Sequence, residues 1–130
     1  MNTQKQELAL AIIRLSLGVI LIAHGLLKWL VFTLAGSAQF FASIGFPGWL
    51  AYPVTFGEII GGALLLLGLF VRPVAIAMLP ILLGALWTHV GNGWVFSNPN
   101  GGWEYPALLV IMAVVVLLAG PDRWSLALRK

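Results

Sequence analysis

Five side chains in this 130-residue sequence carry acid–base chemistry into apolar surroundings: His24, Lys28, Glu58, His89 and Glu104. Imidazole, ammonium and carboxylate groups are the donors, acceptors and proton carriers from which a ligand site or a proton relay is built. His24 and Lys28 are one helical turn apart and share a helix face. Glu58 has a short side chain in an apolar stretch and cannot reach water easily, so it needs a partner or a proton. Lys28 stands six residues inside the expected outer end of the first apolar stretch, and Glu58 six residues inside the outer start of the second. Both depths come to about 9 Å, which predicts a Lys28–Glu58 ion pair or a neutral pair after proton transfer. The pair is equally consistent with structural stapling.

His24 is expected deeper than Lys28, where interhelical hydrogen bonding, proton relay and ligand binding all suit a histidine. His89 and Glu104 fall near the outer ends of the third and fourth apolar stretches, where they are either solvated or part of the site. Together the five form a candidate polar funnel in the outer half of the molecule. Trp49, Trp94, Trp103 and Tyr105 are its candidate aromatic rim, although the same residues suit simple anchoring at a membrane surface. With no cysteine in the chain, disulfides, thiol chemistry and cysteinate metal sites are excluded. No metal site is predicted, because the two histidines are expected at different depths.

The elements that must position these groups follow from composition. Hydrophobic residues make up 61% of the chain and charged residues 8%, against roughly 45–50% and about 25% in soluble domains. Four apolar stretches, Leu8–Leu34, Tyr52–Val71, Pro73–Val90 and Trp103–Gly120, approach or exceed the length needed to cross a bilayer. Turn and helix-stop signals such as Gly45-Phe46-Pro47-Gly48, Arg72-Pro73 and Gly120-Pro121-Asp122 bound them. The expectation is an all-α membrane protein, one domain over residues 1–130, in which four transmembrane helices pack as an up-down bundle. The length of the first stretch, and the Arg14, His24 and Lys28 within it, argue against a cleaved signal peptide. In the first outer loop Phe40, Phe41 and Ile44 recur at helical spacing, so Ser37 to Ile44 is expected to lie in the interface or to re-enter the bundle.

Six basic residues, Lys5, Arg14, Arg72, Arg123, Arg129 and Lys130, fall on one side of this arrangement and Lys28 alone on the other. The positive-inside rule then predicts cytoplasmic termini. Arg14 and Arg72 read as anchors at the inner surface, with Arg14 snorkelling to reach it. Although the net charge is +3, the basic residues flank apolar segments, so nucleic-acid binding is not expected. Gly57-x-x-x-Gly61, with Gly62, predicts a close helix seam beside Glu58. The seven-residue spacings Gly18–Gly25 and Gly84–Gly91 suggest further packing contacts.

In order and spacing, several fragments resemble the DoxX family of small bacterial membrane proteins. They are Arg14-Leu15 with Gly18, His24-Gly25-x-x-Lys28, Glu58-x-x-Gly61-Gly62, Leu64-Leu65-Leu66-Leu67-Gly68, Arg72, His89 and Gly101-Gly102-Trp103-Glu104-Tyr105. The resemblance covers almost the whole chain. It implies a four-helix inner-membrane protein with cytoplasmic termini, and membership of membrane oxidoreductase assemblies. It further implies that the polar cluster would bind a quinone head group or couple electron to proton transfer. No covalent or metal cofactor is predicted, and the chain has no flavin, haem or iron–sulfur ligand motif. Two readings remain open: a quinone-linked redox subunit working with a redox protein partner, and a non-enzymatic scaffold or carrier of small solutes or lipids. A second copy of the chain is an alternative partner.

Overall fold

The computed structural model describes residues 3–126 and is all-helical, with no strand among them. Arg129 and Lys130 lie outside the described residues. Five α-helices follow in order: α1, Thr3–Leu26; α2, Leu34–Ser43; α3, Ala51–Leu67; α4, Val71–His89; and α5, Glu104–Ala119. A π-helical turn, Leu27–Val31, prolongs α1, while single 3-10 turns precede α3 at Gly48–Leu50 and follow α4 at Val90–Asn92. With these turns included, three helical stretches are long and apolar enough to cross a membrane: Thr3–Val31, Gly48–Leu67 and Val71–Asn92. The fourth expected span appears as α5, which is apolar but has only 16 residues.

Helix α1 packs against α3 and α5, and α4 against the same two neighbours, so the four long helices close into a ring. Leu17 and Leu21 of α1, Leu65 of α3, Met78 and Leu82 of α4 and Leu109 of α5 fill its centre. The closest seam is between α1 and α3. A Cβ on Gly62 would stand 2.6 Å from the Gly18 carbonyl oxygen, and one on Gly18 would stand 2.9 Å from that of Gly62. Small residues permit this backbone-to-backbone approach, which dispersion then rewards. The motif predicted for the seam is displaced: Gly57 and Gly61 face side chains of α4, chiefly Met78, and Gly62 makes the close backbone crossing.

Between α3 and α4 the chain reverses in three residues. Gly68 ends α3 in the left-handed conformation (φ 74°), and its N–H donates to Leu65, a helix stop that glycine adopts at least cost. The residues after α5 fold back beneath this turn, where the Leu126 N–H donates to the Leu67 carbonyl at 3.1 Å.

That return brings Asp122 to Arg14. Arg14 is 2% exposed. Its Nε donates to Asp122 Oδ2 at 2.6 Å, one terminal nitrogen to Oδ1 at 3.1 Å, and the other to the Leu65 carbonyl at 2.6 Å. Arg14 is therefore not a snorkelling surface anchor; it is a buried staple joining α1, the end of α3 and the C-terminal return. Arg72 is exposed as expected, yet it too closes a helix end, its Nε donating to the Leu117 carbonyl of α5 at 3.1 Å.

Candidate functional site

Toward the opposite end from Arg14, α1, α3, α4 and α5 diverge around a cavity of about 480 Å³, which α2 and the loop after it help to line. Four of the five predicted polar residues border it: His24, Lys28, Glu58 and His89. Lys28 Nζ donates to Glu58 Oε1 at 2.8 Å, joining α3 to the π-turn after α1 as depth matching predicts. The glutamate side chain is 7% exposed and the lysine 20%, so the ammonium is the more open partner.

Lys28 owes its placement to the π-turn. A π-turn widens the helix by one residue and leaves carbonyls without their usual partners. Ser37 of α2, itself buried, meets this need by donating its hydroxyl to the Lys28 carbonyl at 3.1 Å. Thr33, in an extended conformation with positive φ (66°), begins α2 and accepts from the Gly36 N–H. The expected apolar segment of the first outer loop is thus a helix, and its Phe40 and Phe41 border the cavity.

The two histidines are fixed in the same way. His24 Nδ1 lies 2.8 Å from the Ile20 carbonyl and His89 Nδ1 2.6 Å from the Ala85 carbonyl, each one turn back on its own helix. A carbonyl only accepts, so in both rings Nδ1 carries the proton and Nε2 is the acceptor; in His89 that edge of the ring lies toward Gly101. The His24 ring also stacks on Tyr105, with centroids 5.8 Å apart and planes 23° apart. Both histidines border one cavity despite their different expected depths. The reason is that the cavity runs along the helices, bordered from Ile20 to Lys28 on one side and from Pro80 to His89 on the other.

Glu104 does not join the site. Its Oε2 accepts the Phe96 N–H at 2.7 Å and pins the loop between α4 and α5. Of the predicted rim only Tyr105 borders the cavity. Trp94 and Trp103 instead pack edge to face on each other at 4.4 Å, and Trp49 is 66% exposed. Sequence reading missed Thr88, which borders the cavity beside His89; its position one residue before a predicted site histidine was the signal. The remaining wall is largely aliphatic and aromatic, including Leu50, Val54 and Ile81. Among the described residues, no three His, Cys, Asp or Glu side chains cluster as a metal site would require.

Apolar helices of membrane length that enclose an amphipathic cavity, with a charge pair and two oriented imidazoles at its wall, define a small helical membrane protein with a built pocket. This chain belongs to the DoxX family, whose model matches residues 9–91. Over 114 residues it is 32% identical to a Bacillus subtilis (strain 168) protein named "Putative oxidoreductase CatD", a match covering 88% of this chain and 81% of that one. No solved structure matches the chain. The family match spans α1 to α4 and so includes His24, Lys28, Glu58 and His89, while Tyr105 lies beyond it.

Proposed function

We propose that this protein is a quinone-binding subunit of a membrane oxidoreductase, and that the cavity is where the quinone ring binds. The carrying observation is the cavity: about 480 Å³, mostly apolar, with Lys28, Glu58, His24 and His89 converging on it. Ligand sites are of this size and character, apolar walls with a few placed polar groups. The donor set suits a ring that bears oxygen atoms at its edge. Lys28 has three N–H donors, of which Glu58 takes one. Each histidine presents Nε2, which in the neutral ring accepts from a hydroxyl and in the protonated ring donates to a carbonyl. The histidines can thus hold the reduced and the oxidised edge of the same ligand, and can take up or return a proton at Nε2. A bound quinone would supply the two-electron chemistry. The name of the Bacillus subtilis relative, an oxidoreductase, agrees with this reading.

In the same reading the chain crosses a bacterial inner membrane four times, as an N-in, C-in four-helix bundle with its cavity toward the outer leaflet. Electrons are exchanged with a partner redox protein. The test is to purify the protein from its native membrane, analyse the extracted lipids by mass spectrometry, and titrate the stripped protein in nanodiscs with duroquinone, a tail-less, fully substituted benzoquinone. A co-purifying quinone and saturable binding are expected. Their joint absence overturns the reading in favour of a scaffold or carrier.

A further inference from the structure

Glycine is the least favourable residue after proline inside a helix, so each helical glycine asks for a reason. In α1 and α3 the reason is packing. Gly18, Gly25 and Gly62 lie against backbone or branched side chains of the neighbouring helix, and Gly57 and Gly61 against Ile81 or Met78. Gly36 of α2 adjoins the Thr33 hydroxyl that caps the helix. Gly84 of α4 differs from all of these. A Cβ built there meets nothing within 4 Å, so no neighbouring helix requires the glycine. The packing contact that its spacing with Gly91 suggested is absent at both positions.

Gly84 nevertheless borders the cavity. Pro80 and Thr88, one turn to either side on the same face of α4, border it too. Ile81, Leu82 and Ala85 also line this wall of α4, so the one position in it without a side chain is Gly84, midway between the proline and the threonine that adjoins His89. A bare stretch of helix surface is what a flat ring needs in order to lie against backbone atoms instead of being held off by a side chain.

We propose that Gly84 is the position that sets ligand shape in this cavity: its missing side chain leaves room for a planar ring to pack directly on the α4 backbone, between Pro80 and Thr88. Resting on the quinone-binding reading, this adds where the ring lies and which residue admits it. A Cβ at position 84 meets no protein atom within 4 Å, so a branched side chain there has room to begin and would extend toward the ring's place.

The experiment compares wild type, Gly84→Ala and Gly84→Leu in nanodiscs by duroquinone titration, unfolding midpoint and size, together with mass spectrometry of small molecules that co-purify from the native membrane. The expected result is at least a tenfold rise in the duroquinone dissociation constant for Gly84→Leu, a change within threefold for Gly84→Ala, and unfolding midpoints no lower than wild type. Equal duroquinone binding by wild type and Gly84→Leu overturns the assignment of Gly84 while leaving the quinone reading intact. A change of oligomeric state in Gly84→Leu with binding retained also overturns it, making Gly84 a seam between copies. If wild type binds no quinone but loses another co-purifying ring compound on Gly84→Leu substitution, the quinone reading fails and the role of Gly84 stands. If wild type binds no quinone and the co-purifying molecules do not change, both fall.

Discussion

Lys28 and Glu58 satisfy each other at 2.8 Å, and a pair of that kind can exist only to hold two helices together. What separates glue from a site is what happens when the pair is replaced by apolar groups of similar size. Glu58→Gln alone leaves the ammonium without its counter-charge; with the lysine side chain 20% exposed the loss falls between the surface and the buried cases, about 2 kcal/mol of stability in mixed-micelle unfolding. The double replacement Lys28→Met with Glu58→Leu removes both charges and restores stability to within about 1 kcal/mol of wild type. If the pair serves the site, that double variant is stable yet binds duroquinone at least tenfold more weakly. Unchanged binding in the stable double variant would assign the pair to structure alone. This pairing was legible in the sequence because two ionisable groups at similar depth in apolar helices have few other partners. Glu104 was not, because its partner is the Phe96 main chain, and an N–H donor leaves no mark in a side-chain pattern.

Among the elements, two arginines close two helix ends by different means. Arg14 reaches the last carbonyls of α3 from within the core and is held there by Asp122, whereas Arg72 reaches the last carbonyls of α5 from the surface. Sequence reading treated them alike because the partner of Arg14 lies 108 positions away, on a segment that folds back after Gly120 and Pro121. Counting depth along α1 cannot reveal a carboxylate delivered by another part of the chain. Burial now predicts unequal consequences. Arg14→Met leaves the buried Asp122 without its counter-charge and takes one of two donors from the Leu65 carbonyl, which costs about 3–5 kcal/mol. Arg72→Met removes an exposed interaction at a helix C-terminus and costs about 0.3–1 kcal/mol. Unfolding of the two variants side by side checks this, and equal losses would contradict the structural distinction. Helix α2 shows the same limit on legibility: spacing of Phe40, Phe41 and Ile44 exposed its helical period, while the π-turn that hangs it from Lys28 has no sequence signature.

At the scale of the whole molecule, the questions are how many times the chain crosses the membrane and on which side its Arg14 end lies, because the latter sets which side the cavity faces. The 16 residues of α5 rise about 24 Å, short of a hydrocarbon core about 30 Å thick. Its contacts nevertheless run the length of the site and beyond it. At one end Tyr105 stacks on His24, and at the other the chain just past α5 delivers Asp122 to Arg14. Since His24 and Arg14 are ten residues apart on one helix, α5 returns the chain to the end of the molecule from which α1 set out. In the four-crossing topology proposed above, the short span is met by local thinning of the bilayer or by the residues that flank it. The chain has no cysteine, so single cysteines report position without a background. Gln4→Cys and Arg123→Cys, both at exposed residues of the Arg14 end, should resist a membrane-impermeant thiol reagent in intact spheroplasts and react once the membrane is opened. Ser97→Cys, in the exposed loop between α4 and α5, should react in both conditions. Labelling of Gln4→Cys and Arg123→Cys from opposite sides would mean an odd number of crossings, and labelling of both from outside would place the cavity toward the cytoplasm.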